Sequence, residues 1–198
     1  MPEIKNHVTG TVMRTVNANT LYKANLFGAD LREADLSHTN MSYADLREAN
    51  LRYADLRHTN LRGADLRGAD LRYADMSYAD MSHTDMSHTN MIHANMIHAN
   101  MSYADLRYAD LREANLSGAK ISGHALTRLI ARAIRTFDGY EFIAFATDKG
   151  ILIRAGCRTM PLDEYRAHIA KAYPDTPKAR ETLDILGYFA IRARNEEK

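Results

Sequence analysis

From Ala24 to Gly123 the 198-residue chain repeats in units of five, twenty times over and without an insertion. Each unit has a bulky apolar centre, Leu26, Leu31, Leu36, Met41 and onward to Leu116 and Ile121, and every centre is Leu, Met or Ile. Two places before the centre stands Ala or Thr; one place before stands Asp or Asn, with Lys120 the exception. The two places after it vary, mostly Arg or Ser and then Tyr, His, Glu or Gly. An α-helix turns about 100° per residue, so a five-residue row would wind around it and never form one buried stripe. A flat strand fails as well, because side chains alternate faces and an odd repeat throws successive centres onto opposite sides. All centres become equivalent if the chain turns a corner once per repeat, always in the same sense, with the centre and the residue two before it pointing inward. Periodicity alone shows only repeated turning; were four corners to close each coil, one coil would take twenty residues, and coils would stack about 4.8 Å apart. Twenty repeats would then make five coils, a rod of about 24 Å.

The pattern A-(D/N)-L-x-x, as in Ala64-Asp65-Leu66-Arg67-Gly68, resembles the pentapeptide-repeat family. The resemblance implies a mainly β fold, a right-handed quadrilateral β-helix, with Leu26, Leu46, Leu66, Met86 and Leu106 in its stacked core. Small Ala or Thr fits the narrow interior. Asp or Asn suits corners, where a short polar side chain bonds nearby backbone. Some members of the family mimic duplex DNA and block gyrase, and these often carry Phe centres; this chain has none.

A solenoid exposes strand edges that need capping. Residues 1–23 read as the N-terminal cap, with His7 to Tyr22 a strand and a degenerate half-coil that enters register at Val16 and Leu21. Residues 124–198 read as a small α+β capping or interaction module that closes the repeat region. In His124 to Phe137, Leu126, Leu129, Ile130, Ala133, Ile134 and Phe137 have helical spacing, so an amphipathic helix is expected there, its apolar face over the last coil. Tyr140–Thr147 and Ile151–Arg158 read as strands joined at Asp148-Lys149-Gly150. Pro161 opens a helix to about Ala172, and Thr176 caps a last helix from Pro177 to about Arg194. The run Ala155-Gly156-Cys157-Arg158 with Leu162-Asp163-Glu164 is similar to a module of phage and prophage members, which implies a phage-encoded protein.

Twenty-six basic residues against twenty-five acidic ones give no overall attraction to polyanions. Residues 24–123 hold fourteen acidic and ten basic side chains. That excess of four is far below the one charge per about 1.7 Å of duplex DNA. Cys157 is the single cysteine, which rules out an internal disulfide and fits a reducing compartment. No apolar run reaches membrane-spanning length and Met1–Gly10 lacks a signal-peptide core, so a cytoplasmic protein with no membrane partner is expected.

Residues twenty apart should lie above one another. One face then stacks Arg32, Arg52, Arg72, Ile92 and Arg112, with Tyr53, Tyr73 and His93 beside them. The next sets Arg47, Arg67 and Arg107 against Asp45, Asp65, Asp85 and Asp105. Such rows either neutralise one another or, through Arg32, Arg52, Arg72, Arg112, Tyr53 and Tyr73, form a strip for phosphates and bases. His83, His88, His93 and His98 make a belt around one coil; His38 and His58 stack, but two ligands make a poor zinc site, so no metal is expected. Ile92 and Ile97, with His93 and His98, are outward anomalies that suggest a contact with a partner or a second copy. Cys157 with His124 or His168 shows no catalytic spacing, and no phosphate loop or nucleophile elbow appears, so neither a catalytic residue nor a cofactor is expected. These features point to a non-enzymatic scaffold that binds and modulates a host macromolecule. The alternatives are a DNA-mimic inhibitor of gyrase, a nucleic-acid or nucleotide binder, and a structural component of a larger assembly.

Overall fold

The computed structural model describes residues 3–6, 12–15, 21–136, 138–155 and 158–195, the first two segments by backbone alone. Two compact units divide between Ala125 and Leu126.

In the first unit each repeat is one tight turn and one bridge. The carbonyl of the centre accepts from the amide three residues on, as Leu66 O does from Ala69 N at 3.0 Å, which bends the chain once every five residues. The Asp or Asn before each centre forms a parallel bridge to the residue twenty further on: Asn25 to Asp45, Asp45 to Asp65, and so to Asn100 with Lys120. Four turns therefore close each coil. Leu66 N donates to Asp85 O at 2.8 Å and Asp85 N to Ala64 O at 3.1 Å, so the ladder runs between coils. The centres fill the interior: Leu26, Leu46, Leu66, Met86 and Leu106 have no exposed surface. Thr enters the place of Ala because its hydroxyl finds a carbonyl. Thr84 Oγ1 donates to Met81 O at 2.6 Å, and Thr59 Oγ1 reaches Leu36 O of the coil before at 2.8 Å.

At the N-terminus β1 (Glu3–Asn6) lies between β2 (Val12–Thr15) and β3 (Ala34–Asp35), antiparallel to both. Of the expected cap segment, β2 is the described strand and Leu21 is buried. Val16 falls outside the described residues. At the other end β4 (Lys120–Ile121) turns back antiparallel onto the start of β5 (His124–Ile134).

The helix expected over His124 to Phe137 is not formed; β5 occupies His124–Ile134. It pairs antiparallel with β6 (Glu141–Thr147), and the register slips between Leu126 and Arg128 and again between Leu129 and Ala131. Each irregularity inserts a residue and shifts the inward phase. Leu126 and Ile130, four apart, are thereby both buried, which imitates helical spacing. The expected hairpin and two helices form, but the strand expected over Ile151–Arg158 ends at Ala155, and Arg158 opens a separate strand. The β6–β7 hairpin joins Glu141–Thr147 to Gly150–Ala155, and β8 (Arg158–Pro161) adds an unexpected further strand. Helix α1 (Leu162–Ala172) starts at Pro161 with Asp163 and Glu164 in its first turn. Helix α2 (Pro177–Asn195) is capped by Thr176 Oγ1, which accepts from Ala179 N at 3.1 Å. Ile130, Phe142 and Ile153 of the strands pack with Tyr165 and Ile169 of α1 and Leu186 and Phe189 of α2.

Replacing Leu66 by Lys places a charge where no solvent reaches. That burial costs as much as a domain's whole stability of about 5–15 kcal/mol, so the variant should lose its far-UV circular dichroism signature and thermal transition. Arg67→Ser, on the outer surface, should melt within a few degrees of the parent.

Candidate interaction surface

The outer surface is built from the two places after each centre. The first carries mostly Arg or Ser, with Phe27, Ile92 and Ile97 the exceptions, and is held by the Asp or Asn two residues before it, whose Oδ1 accepts the backbone amide: Asn25 from Phe27 at 3.1 Å, Asp85 from Ser87 at 3.0 Å, Asn115 from Ser117 at 3.2 Å. This is the corner role expected of the acidic and amide residues, repeated along the coil.

Where the pair is Asp and Arg, the side chains fork together as well. Arg47 donates from Nε and Nη2 to Asp45 at 2.8 and 2.7 Å, and Arg67 to Asp65 at 2.8 and 2.6 Å. Arg47 Nε also lies 3.7 Å from Asp65, and Arg67 Nε 3.7 Å from Asp85, so the pairs interlock along the rod. The hydrogen-bonded guanidinium holds the Asp45 and Asp65 carboxyls below the ordinary carboxylate range. In the expected phosphate strip, Arg32, Arg72 and Arg112 fork the same way onto Asp30, Asp70 and Asp110. Arg52 and Arg62 follow Asn50 and Asn60, whose side chains accept only the Arg52 and Arg62 backbone amides. Three of the strip's four arginines are thus already committed to carboxylates.

The second place after every centre has a positive φ, from Gly28 at 60° to Gly123 at 80°. Type II turns require this and normally use Gly or Asn. Here Tyr, His and Glu occupy it, at a cost of roughly 1–2 kcal/mol per residue. For the rings, stacking offsets the strain. Tyr53 lies on Tyr73 at 4.9 Å and 8° between planes, and Tyr73 on His93 at 4.9 Å. On another face His38, His58, Tyr78 and His98 follow at 4.8, 5.0 and 5.1 Å. His83 stacks on Tyr103 and His88 on Tyr108. Every histidine of the belt thus faces a tyrosine one coil away, a pattern the sequence shows as His and Tyr twenty residues apart. Where a ladder meets glycine the neighbouring ring leans over it. A Cβ on Gly118 would stand 2.2 Å from His98 Nδ1, and one on Gly63 2.6 Å from Tyr43.

The remaining expected sites separate. Ile92 and Ile97 are half-buried rather than open, since the first place after the centre lies close against the turn, where Ser42, Ser77, Ser82 and Ser87 are buried. His93 Nδ1 meets Glu113 Oε2 at 3.3 Å. His124 belongs to the β4–β5 hairpin of the first unit, and His168 sits on α1 beside Arg158. Cys157 lies outside the described residues. Among the described residues no cluster of three His, Cys, Asp or Glu is placed to hold a metal. The sequence did not single out Arg135, which is buried in the second unit. It forks onto Asp138 at 2.8 and 2.7 Å and donates to Thr182 at 2.7 Å. Lys178 meets the same carboxylate at 2.9 Å, and together they hold Asp138 well below the ordinary range.

The sequence profile described as Pentapeptide repeats matches in eight copies, over residues 20–55, 49–87 and 79–118. Among solved structures, a pentapeptide repeat protein of the Arabidopsis thaliana thylakoid lumen is 30% identical, over 50% of this chain and 66% of that one, with a TM-score of 0.41. HetL, a pentapeptide repeat protein involved in heterocyst differentiation regulation in a Nostoc cyanobacterium, is 28% identical over 53% and 59%, with a TM-score of 0.29. The plasmid-mediated fluoroquinolone resistance protein QnrB1 is 21% identical over 50% and 62%, with a TM-score of 0.28. The chain spans less than two thirds of each of these relatives. A comparison with curated proteins returns no match. Among the described residues no helix is long and apolar enough to cross a membrane.

Two outcomes test the ladders. Tyr73→Ala removes a stacked ring yet keeps a Cβ at φ 62°; Tyr73→Gly removes both. Denaturant titration should find the glycine variant more stable than the alanine variant by about 1 kcal/mol. The depressed Asp45 and Asp65 carboxyls stabilise the fold above their ordinary value of 3.8, and this contribution is lost as pH falls from there through their lower folded values. Thermal melts should drop over that acid window, and less steeply in Asp65→Asn.

Proposed function

Because the chain belongs to the pentapeptide-repeat family, we propose that it is a non-catalytic interaction protein: a right-handed rod of five coils that binds and modulates a macromolecule of its host through its outer ladders. One observation carries the reading. The outward side chains are held in place before any partner arrives, arginines by carboxylates and rings by rings. A surface ordered in advance loses little rotamer entropy on binding. It also presents Tyr and Arg, the residue types that dominate protein hot spots. The interior is filled by Leu, Met, Ile and Ala, so recognition falls to the outside.

Mimicry of DNA to inhibit gyrase fits less well, since Asp–Arg forks neutralise the rod along its length and leave four negative charges in excess. A nucleic-acid strip fits less well because Asp30, Asp70 and Asp110 compete for its guanidinium groups. The cytoplasmic setting rests on Cys157 standing alone and the phage origin on the Ala155-Gly156-Cys157-Arg158 motif.

Affinity capture from host lysate at about 0.15 M salt, with the intact protein as bait, should retain a discrete protein that survives nuclease treatment. Retention that vanishes with nuclease would favour the nucleic-acid reading. Inhibition of gyrase supercoiling at micromolar protein would favour the mimic.

A further inference from the structure

The repeats serve as controls for one another, and Arg52 is the exception they expose. On its face Arg32 below and Arg72 above each give Nε and Nη2 to an aspartate two residues earlier, at 2.8 and 2.7 Å and at 2.8 and 2.5 Å. Between them Arg52 has Asn50 at that place, whose side chain accepts only the Arg52 amide, at 3.3 Å. Arg52 Nε is shut off from solvent with no acceptor. Asp70 feels the Arg52 charge only weakly, its own oxygens being committed to Arg72. The guanidinium lies over the Tyr53 ring, 5.6 Å from its centroid, so an aromatic wall positions it. Arg62 lacks a carboxylate in the same way, after Asn60, but is exposed and sits beside Gly63 rather than a ring.

We infer that Arg52 is an open fork that accepts a carboxylate presented by a protein partner, with the Tyr53 ring positioning its guanidinium. This rests on the interaction reading above. The entering Asp or Glu side chain takes the role that Asp30 and Asp70 play for the neighbouring arginines. It meets the outer guanidinium nitrogens first, and a swing of Arg52 toward the geometry of Arg32 and Arg72 then brings Nε to it. A planar, bidentate partner suits a guanidinium better than a point contact. The surroundings disfavour a nucleic acid. Tyr73 stacks on both Tyr53 and His93, and the Arg52 guanidinium lies over the Tyr53 ring, so the rings beside Arg52 are already engaged with neighbours rather than free to stack a base. On this face Arg52 is the one arginine without a carboxylate, whereas a strand of phosphates needs a run of free cations.

The test is an NMR titration of the intact protein labelled with ¹⁵N-arginine, following the Nε–Hε signals at constant ionic strength, with acetate and separately with inorganic phosphate as probes. Acetate should shift the Arg52 signal saturably and several-fold more than those of Arg32, Arg72 and exposed Arg62. Asn50→Asp should fill the fork and abolish the response, and Asp70→Asn should confer it on Arg72; thermal melts check that both variants fold. Equal shifts at all four arginines, a response to phosphate alone, or an Arg52 response that survives Asn50→Asp would each overturn the assignment. A captured partner still retained by Asn50→Asp would remove this contact and leave the interaction reading standing. Capture of no protein by the parent chain would remove that reading instead.

Discussion

The parallel bridge between residues twenty apart is the constraint on which the first unit depends. It satisfies backbone donors and acceptors that a chain bending every five residues would otherwise strand, as Leu66 N and Asp85 N show. Once coils are bridged, every inward place has a like neighbour above and below. An interior of Leu, Met, Ile and Ala, with Thr at a few places, then buries apolar surface and no charge. The outer surface inherits the same spacing, so whatever side chain occupies a turn is repeated at ladder distance.

That inheritance explains how tyrosine and histidine come to sit on backbone more natural to glycine. An isolated Tyr at φ 62° is strained, but one stacked at 4.9 Å against Tyr53 and His93 recovers about as much as the strain removes. The aspartate–arginine forks obey a similar logic. Like charges one coil apart would repel, and an Asp and an Arg in the same repeat cancel that repulsion locally. A rod assembled in this way is chemically quiet along most of its length, which gives weight to the places where the pairing rule lapses.

Much of the first unit was legible because its period excludes a helix and a flat strand and leaves a chain that turns once per repeat, with its centres inward. The four-sided coil and the small inward neighbours came with the family resemblance. The ring ladders were less legible, since nothing in a single repeat such as Leu71-Arg72-Tyr73 says that φ is positive or that His93 lies on Tyr73. Only reading twenty residues ahead shows the pairing. The Arg52 exception is visible as Asn50 in place of Asp, a one-atom change whose consequence depends on the fork seen at Arg32 and Arg72. In the second unit the hairpin and both helices carried turn and proline signals. Strand β5 did not, because its two register slips gave Leu126 and Ile130 the spacing of a helix. Arg135 and Asp138 are close in sequence, but Thr182 and Lys178 reach them only through the fold.

The coiled path can be tested directly by scalar coupling across hydrogen bonds in the labelled protein. The account predicts a coupling from the Leu66 amide nitrogen to the Asp85 carbonyl carbon, and from the Asp85 amide nitrogen to the Ala64 carbonyl carbon. Couplings from these amides to carbonyls four residues earlier, as in a helix, or to an antiparallel neighbour, would contradict it.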